Sequence, residues 1–109
     1  MRLRWCGQLY TDERAGAREQ WYRWRLEHGA GCPGMYVITV STHEQMLLDI
    51  VPALAIRQEP VRRRLPLIVG LAFGKGSAWE LASRIVSDVY RETSGTDVRG
   101  YFREERQKG

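Results

Sequence analysis

Cysteine, histidine and lysine are scarce in this chain of 109 residues, with two of each. Cys6 and Cys32 have no C-x-x-C spacing and no third or fourth partner, so neither a disulfide framework nor a cysteine-based metal site is available. A reduced, cytosolic setting fits that usage better than a secreted one. His28 and Cys32 stand four apart, with Cys6 and His43 elsewhere, and no two pairs have zinc-ligand spacing. No metal and no cofactor are therefore expected. Cys6 sits mid-strand beside Gly7 and Cys32 lies in a glycine loop, so nothing places either thiol in the electropositive turn that a nucleophilic cysteine needs.

The lysines are Lys75 and Lys108, against 15 arginines. Guanidinium pairs bidentately with phosphate or carboxylate, but a codon bias of the source genome explains the ratio as well. Long apolar runs are also missing. The longest, Leu65 to Phe73, is too short to span a bilayer, and the start MRLRWCGQLYTDER is charged throughout. These absences predict a soluble cytoplasmic protein with no membrane partner.

What is present is an ordinary globular composition, 43% apolar and 28% charged. One domain spanning residues 1–109 is expected, large enough to bury roughly two-thirds of its unfolded surface without staples. Residues from about 95 onward read as an extension whose last few are mobile. The net charge of +4 permits nucleic acid or anionic metabolites as partners without requiring either.

Three strand patterns alternate with three helix patterns. Residues 2–10 place Leu3, Trp5 and Leu9 on one side and Arg2, Arg4 and Gln8 on the other, the signature of a half-buried edge strand. A helix over 13–28 follows, capped by Thr11 or Asp12, with Ala17, Trp21, Trp24 and His28 as its buried stripe. Residues 35–41 read as a second strand. Residues 43–58 carry a helical pattern that Pro52 must interrupt, giving a short helix to about Ile50 and a kink or second short helix near Pro52. Thr42-x-x-Gln45 has the form of its capping box. Residues 66–73, apolar on both faces, predict a central strand. The last helix, 77–93, turns Ala78, Ala82, Ile85, Val86, Val89 and Tyr90 inward. The tail segment DVRGYF adds a short strand or packs Tyr101 and Phe102 on the body.

The expected fold is α/β, a small three-stranded, mostly parallel sheet in the order βαβαβα with right-handed crossovers. So small a sheet leaves open edges, and pairing across one of them predicts a homodimer.

In a parallel sheet, ligands bind beyond the carboxyl ends of the strands. That rim would gather Asp12, His43 and the turn Gly74, Lys75, Gly76 and Ser77. The turn joins a strand to a helix, so its N–H groups and Lys75 form a candidate cradle for a small phosphorylated or carboxylated ligand, with His43 or Asp12 as acid–base candidates. It is not a Walker A loop, since only three residues separate Gly70 from Gly74 and Gly76 follows the lysine. A second candidate is the stripe Arg14, Arg18, Tyr22 and Arg25, where guanidinium and aromatic groups would meet phosphates and bases. A basic loop with Arg57, Arg62, Arg63 and Arg64 would add to it. Glu13, Glu19, Glu27 and Glu59 interleave with both, and a solvated, ion-paired face is the simpler account. Trp21 and Trp24 are assigned to the core rather than to a stacking platform.

The segments QLYTDERA, MYVITVS, MLLDIVPALAI, LIVGLAFGKGSAWELASRIVSDVY and DVRGYF together resemble a group of short uncharacterised bacterial proteins. The resemblance covers nearly the whole chain and implies a complete bacterial protein, but it brings no activity and no catalytic residue. With no recognisable nucleophile, carboxylate pair or metal cluster, the first expectation is a binding or interaction module without catalytic activity. An enzyme or sensor of a small anionic ligand at Gly74–Ser77 is the alternative, followed by nucleic-acid binding through the arginine stripe.

Overall fold

The computed structural model describes residues 3–41, 47–95, 98 and 100–102. Among them are four strands, β1 (Trp5–Thr11), β2 (Met35–Val40), β3 (Leu48–Pro52) and β4 (Ile68–Phe73). The helices are α1 (Glu13–Ala17), α2 (Glu19–Glu27), a 3-10 helix (Ala53–Arg57), α3 (Glu59–Arg64) and α4 (Lys75–Thr93). The sheet order is β1-β4-β2-β3.

This corrects the expected three-stranded, mostly parallel sheet. The sheet has four strands and is mixed: β1 and β4 are parallel, while β4–β2 and β2–β3 are antiparallel. The difference arises in the segment read as a helix over 43–58. Leu48–Pro52 instead forms a strand that doubles back on β2, with Ile50 opposite Ile38 and Val51 opposite Val37. Long-range pairing of β-branched residues overrides a weak local preference here. The proposed cap Thr42-x-x-Gln45 lies outside the described residues. The second short helix near Pro52 is present as the 3-10 helix.

β4 is central, between β1 and β2, and five of its six residues are buried. β1 is an edge strand, in keeping with its polar alternation. Side chains alternate across the sheet and divide the core in two. On one face Met35, Val37, Ile68 and Leu71 pack with Leu26, Ala53 and Ile56 from α2 and the 3-10 helix. On the other, Ile38, Val69 and Ala72 pack with Ala78, Leu81, Ala82, Ile85 and Val89 of α4. Gly70 lets α4 come close, since a Cβ there would stand 3.2 Å from Ile38 and 3.4 Å from Leu81. The inward face of α4 therefore runs through Leu81; Tyr90, expected inside, is exposed.

The helix expected over 13–28 is two helices. Arg18 breaks it with φ −139° and ψ 47°. The face was misassigned by choice of stripe: Ala15, Tyr22 and Leu26, at i, i+7 and i+11, pack on the core, and the stripe through Ala17, Trp21, Trp24 and His28 lies outside. The buried positions are Ala15 and Leu26, whereas Trp21 and Trp24 are 41% and 50% exposed. Their assignment to the core is thereby corrected. The tail does pack on the body: Phe102 is fully buried, edge-on to Tyr10 with ring centroids 6.4 Å apart. The expected mobile residues, 103–109, lie outside the described residues. Among the described residues no helix is long and apolar enough to cross a membrane.

Candidate functional site

The antiparallel course of β2 decides which predicted site residues can meet. Thr11 and Leu71 are paired near the carboxyl ends of β1 and β4. Phe73 is paired with Met35, the first residue of β2, so the carboxyl end of β2 lies at the opposite end of the sheet. The strand thus leads the chain away from the rim through Val40; His43, and with it the expected three-way convergence, lies outside the described residues. What meets at the β4 rim is Asp12, the turn Gly74–Ser77 and the entry to β2, where the Gly34 carbonyl accepts a 2.8 Å hydrogen bond from the Gly74 N–H.

Asp12 acts there as a clamp. Its Oδ1 accepts from the Ala15 N–H at 2.8 Å, capping α1, and its Oδ2 accepts from the Phe73 N–H at 2.8 Å, at the end of β4. Its own N–H donates to the Leu71 carbonyl at 3.2 Å. Both carboxylate oxygens are thus committed to backbone. Gly74 holds φ 89° and ψ 145°, a conformation reserved for glycine, and α4 starts directly after it with no side-chain cap. Lys75 and Gly76 are exposed and Ser77 is half-buried.

Beside Lys75 opens a groove that the sequence pattern did not reveal. Among the described residues, α4 packs chiefly over β4 and leaves much of β3 and part of β2 uncovered. The groove, of about 980 Å³, has a floor of Tyr36, Leu48 and Ile50 and a wall of Trp79, Ala82 and Val86. Asp49, Lys75 and Ser83 are its polar margin. Trp79 is 60% exposed. β3 is the last strand of the sheet, so one of its edges is open among the described residues. Two features of the sequence could have found this surface: Leu48 and Ile50 alternate with Asp49, and Trp79 stands outside the inward stripe of α4.

The arginine stripe is partly structural. Arg14 lies over the Phe73 ring, 4.2 Å from its centroid, and Tyr22 meets the same ring edge-on at 5.1 Å. Arg18 and Arg25 lie over Trp21, at 5.4 and 5.7 Å from its centroid. Trp21 stacks on Trp24 at 5.5 Å and 8°, and Trp24 on His28 at 4.2 Å and 27°. His28 closes α2 as its C-cap, its N–H donating to the Trp24 carbonyl at 3.1 Å. The basic segment 59–64 is helix α3, not a loop. Arg62 donates from Nη1 to the Leu26 carbonyl and from Nη2 to the Glu27 carbonyl, both at 2.6 Å, tying off the carboxyl end of α2. Arg63 pairs with Glu59 at 2.9 Å on the surface.

Comparison of the chain with known protein families, with curated proteins and with solved structures returns no match.

Proposed function

We propose that this protein is a non-catalytic interaction module, and that it takes an extended segment of a partner protein into the groove between β3 and α4. One observation carries the reading: among the described residues the sheet ends in an open strand directly beside apolar side chains that α4 leaves uncovered. An open edge offers a row of N–H and C=O groups, and the adjoining apolar face receives alternate side chains of an added strand. β3 has five residues, which run about 17 Å and match a peptide of similar length. Lys75 and Asp49 on the margin give such a segment a polarity to read. The commitment of Asp12 to backbone bonds, and the course of β2 away from the rim, both weigh against acid–base chemistry at Gly74–Ser77.

A cytoplasmic location belongs to the same proposal. Cys6 and Cys32 are buried in clusters on opposite faces of the sheet, so they are not placed to bridge each other, and such usage suits a reducing compartment.

The test is a selection from a displayed library of short peptides, followed by fluorescence polarisation with the wild type, Trp79→Ala and Ile50→Glu. Selected peptides should lose about tenfold or more in affinity with either variant, in line with truncation of an interface tryptophan. Sedimentation of the free protein is run alongside. A dimer that Ile50→Glu dissociates would assign the groove to a second copy of the chain. Peptides that ignore both substitutions would remove the groove from the function.

A further inference from the structure

We infer that the outer face of α2 is a stacking site for single-stranded nucleic acid. The site is a column of three planar groups on consecutive turns, Trp21 on Trp24 on His28, with ring centroids 5.5 and 4.2 Å apart. Both indoles are exposed, at 41% and 50%, and no aliphatic side chain of α2 shares that surface, since Leu26 is buried. A protein partner would be met by aliphatic as well as aromatic groups. A column of rings flanked by Arg18 and Arg25 suits bases and phosphates, because every base has a π-face and every linkage a negative charge.

Part of the charge beside this face is neutralised from within: Glu19 pairs with Arg23 at 2.7 Å, and Glu27, which lines the hollow next to the column, accepts from the Trp5 Nε1–H at 2.6 Å and the Leu3 N–H at 3.2 Å. Arg18 and Arg25, poised over Trp21, have no carboxylate partner among the described residues. Arg25 is also held in place, its Nε and Nη2 both donating to the Gly31 carbonyl at 3.2 and 3.1 Å. The guanidinium is therefore ordered before a ligand arrives, which lowers the entropic cost of binding.

A hollow of about 680 Å³ adjoins the column, between Trp24 and His28 on one side and Trp5 and Arg23 on the other. Arg23 on its wall is held by Glu19 at 2.7 Å and lies over the Trp5 ring, 5.1 Å from its centroid, so the hollow is firm before a ligand arrives. The geometry selects single strands, because the bases of a duplex are already stacked on each other. It is separate from the groove, which lies on the opposite face of the sheet, so either reading can fail without the other.

The experiment is fluorescence anisotropy with labelled 20-mers of dT and rU, and a duplex of equal length, at 50 and 200 mM salt. The proteins are the wild type, Trp21→Ala, Trp24→Ala and Arg18→Ala, each checked by circular dichroism. Single strands should bind in preference to duplex. Each tryptophan substitution should weaken binding by roughly tenfold, and Arg18→Ala should lower the slope of log affinity against log salt by about one. Quenching of indole emission by unlabelled oligonucleotide gives a readout that needs no variant. Absence of binding at 50 mM salt would overturn the proposal, as would equal affinity for duplex, or binding that both tryptophan variants leave intact. If oligonucleotides fail while a crosslinker placed at position 24 captures a protein, the face belongs to a protein partner and the inference is wrong.

Discussion

Replacing Asp12 with alanine tests whether this carboxylate is a structural clamp or a free acid–base group. It caps a helix of only five residues, too short to hold itself together, and it satisfies the Phe73 N–H at the end of the central strand. Loss of an N-cap costs about 0.5–2 kcal/mol, and a buried N–H left unpaired costs about 1–3 kcal/mol. Phe73 is half-buried, so water will restore part of the second contribution, and the sum falls near 2–3 kcal/mol. For a domain of this size that corresponds to a fall in Tm of roughly 10 °C. Asp12→Asn keeps one side-chain oxygen as acceptor and should lose about half as much. Urea denaturation followed by circular dichroism measures both, with an unchanged slope marking a true stability difference. An Asp12→Ala protein within about 0.5 kcal/mol of wild type would refute the clamp and return the carboxylate to the list of groups available for chemistry.

Adjacent arginines should behave differently. Arg62→Ala removes the donors to the Leu26 and Glu27 carbonyls and should cost about 2–3 kcal/mol, while Arg63→Ala, which loses only a surface pair with Glu59, should stay within about 0.5 kcal/mol by the same assay. The turn before α4 offers a second contrast. Gly74→Ala should lower stability by about 1–3 kcal/mol, because φ 89° is strained for any side chain although space is open around it. Gly76→Ala, inside the helix with equally open space, should raise stability by up to about 1 kcal/mol. Both cysteines are buried, so Ellman's reagent should label the native protein slowly and the urea-unfolded protein at both thiols; rapid native labelling would show that one of the two core clusters opens readily.

How far the sequence could be read depended on the range of the interactions involved. β4 and α4 were legible because their patterns are long and local: a doubly apolar run for one, an apolar stripe over five turns for the other. β3 was not. Leu47, Ile50, Val51 and Leu54 stand at helical spacing, while Leu48 and Ile50 alternate around Asp49 at strand spacing. Five residues do not discriminate between the two periods. Pairing with β2 does, and that pairing is tertiary. The first helix was misread for another reason. Two stripes there fit a helical period, and the one richer in large rings is the outer one, while Ala15, Tyr22 and Leu26, at i, i+7 and i+11, pack on the sheet. At the candidate rim, the turn Gly74–Ser77 was recognisable from its glycines. The role of Asp12 was hidden, because Phe73, the partner that defines it, is 61 residues away.

The placement of the indoles ties these surfaces together. Trp5 is half-buried, with its Nε1–H on Glu27 and Arg23 over its ring. The other three tryptophans, at positions 21, 24 and 79, are exposed on helices whose inner faces are lined with alanine and aliphatic residues. Burying a large apolar side chain is worth about 1.5–3 kcal/mol to a fold, and at 41%, 50% and 60% exposed the three forgo about half of that gain. Tryptophan is also the side chain most enriched where binding energy concentrates. The sheet separates the two exposed sets, one beside an arginine-bearing helix and one beside an open strand. Sites so separated act independently. On the proposed reading a nucleic acid would sit on one layer and a peptide on the other, and substitutions in either site should leave binding at the other unchanged.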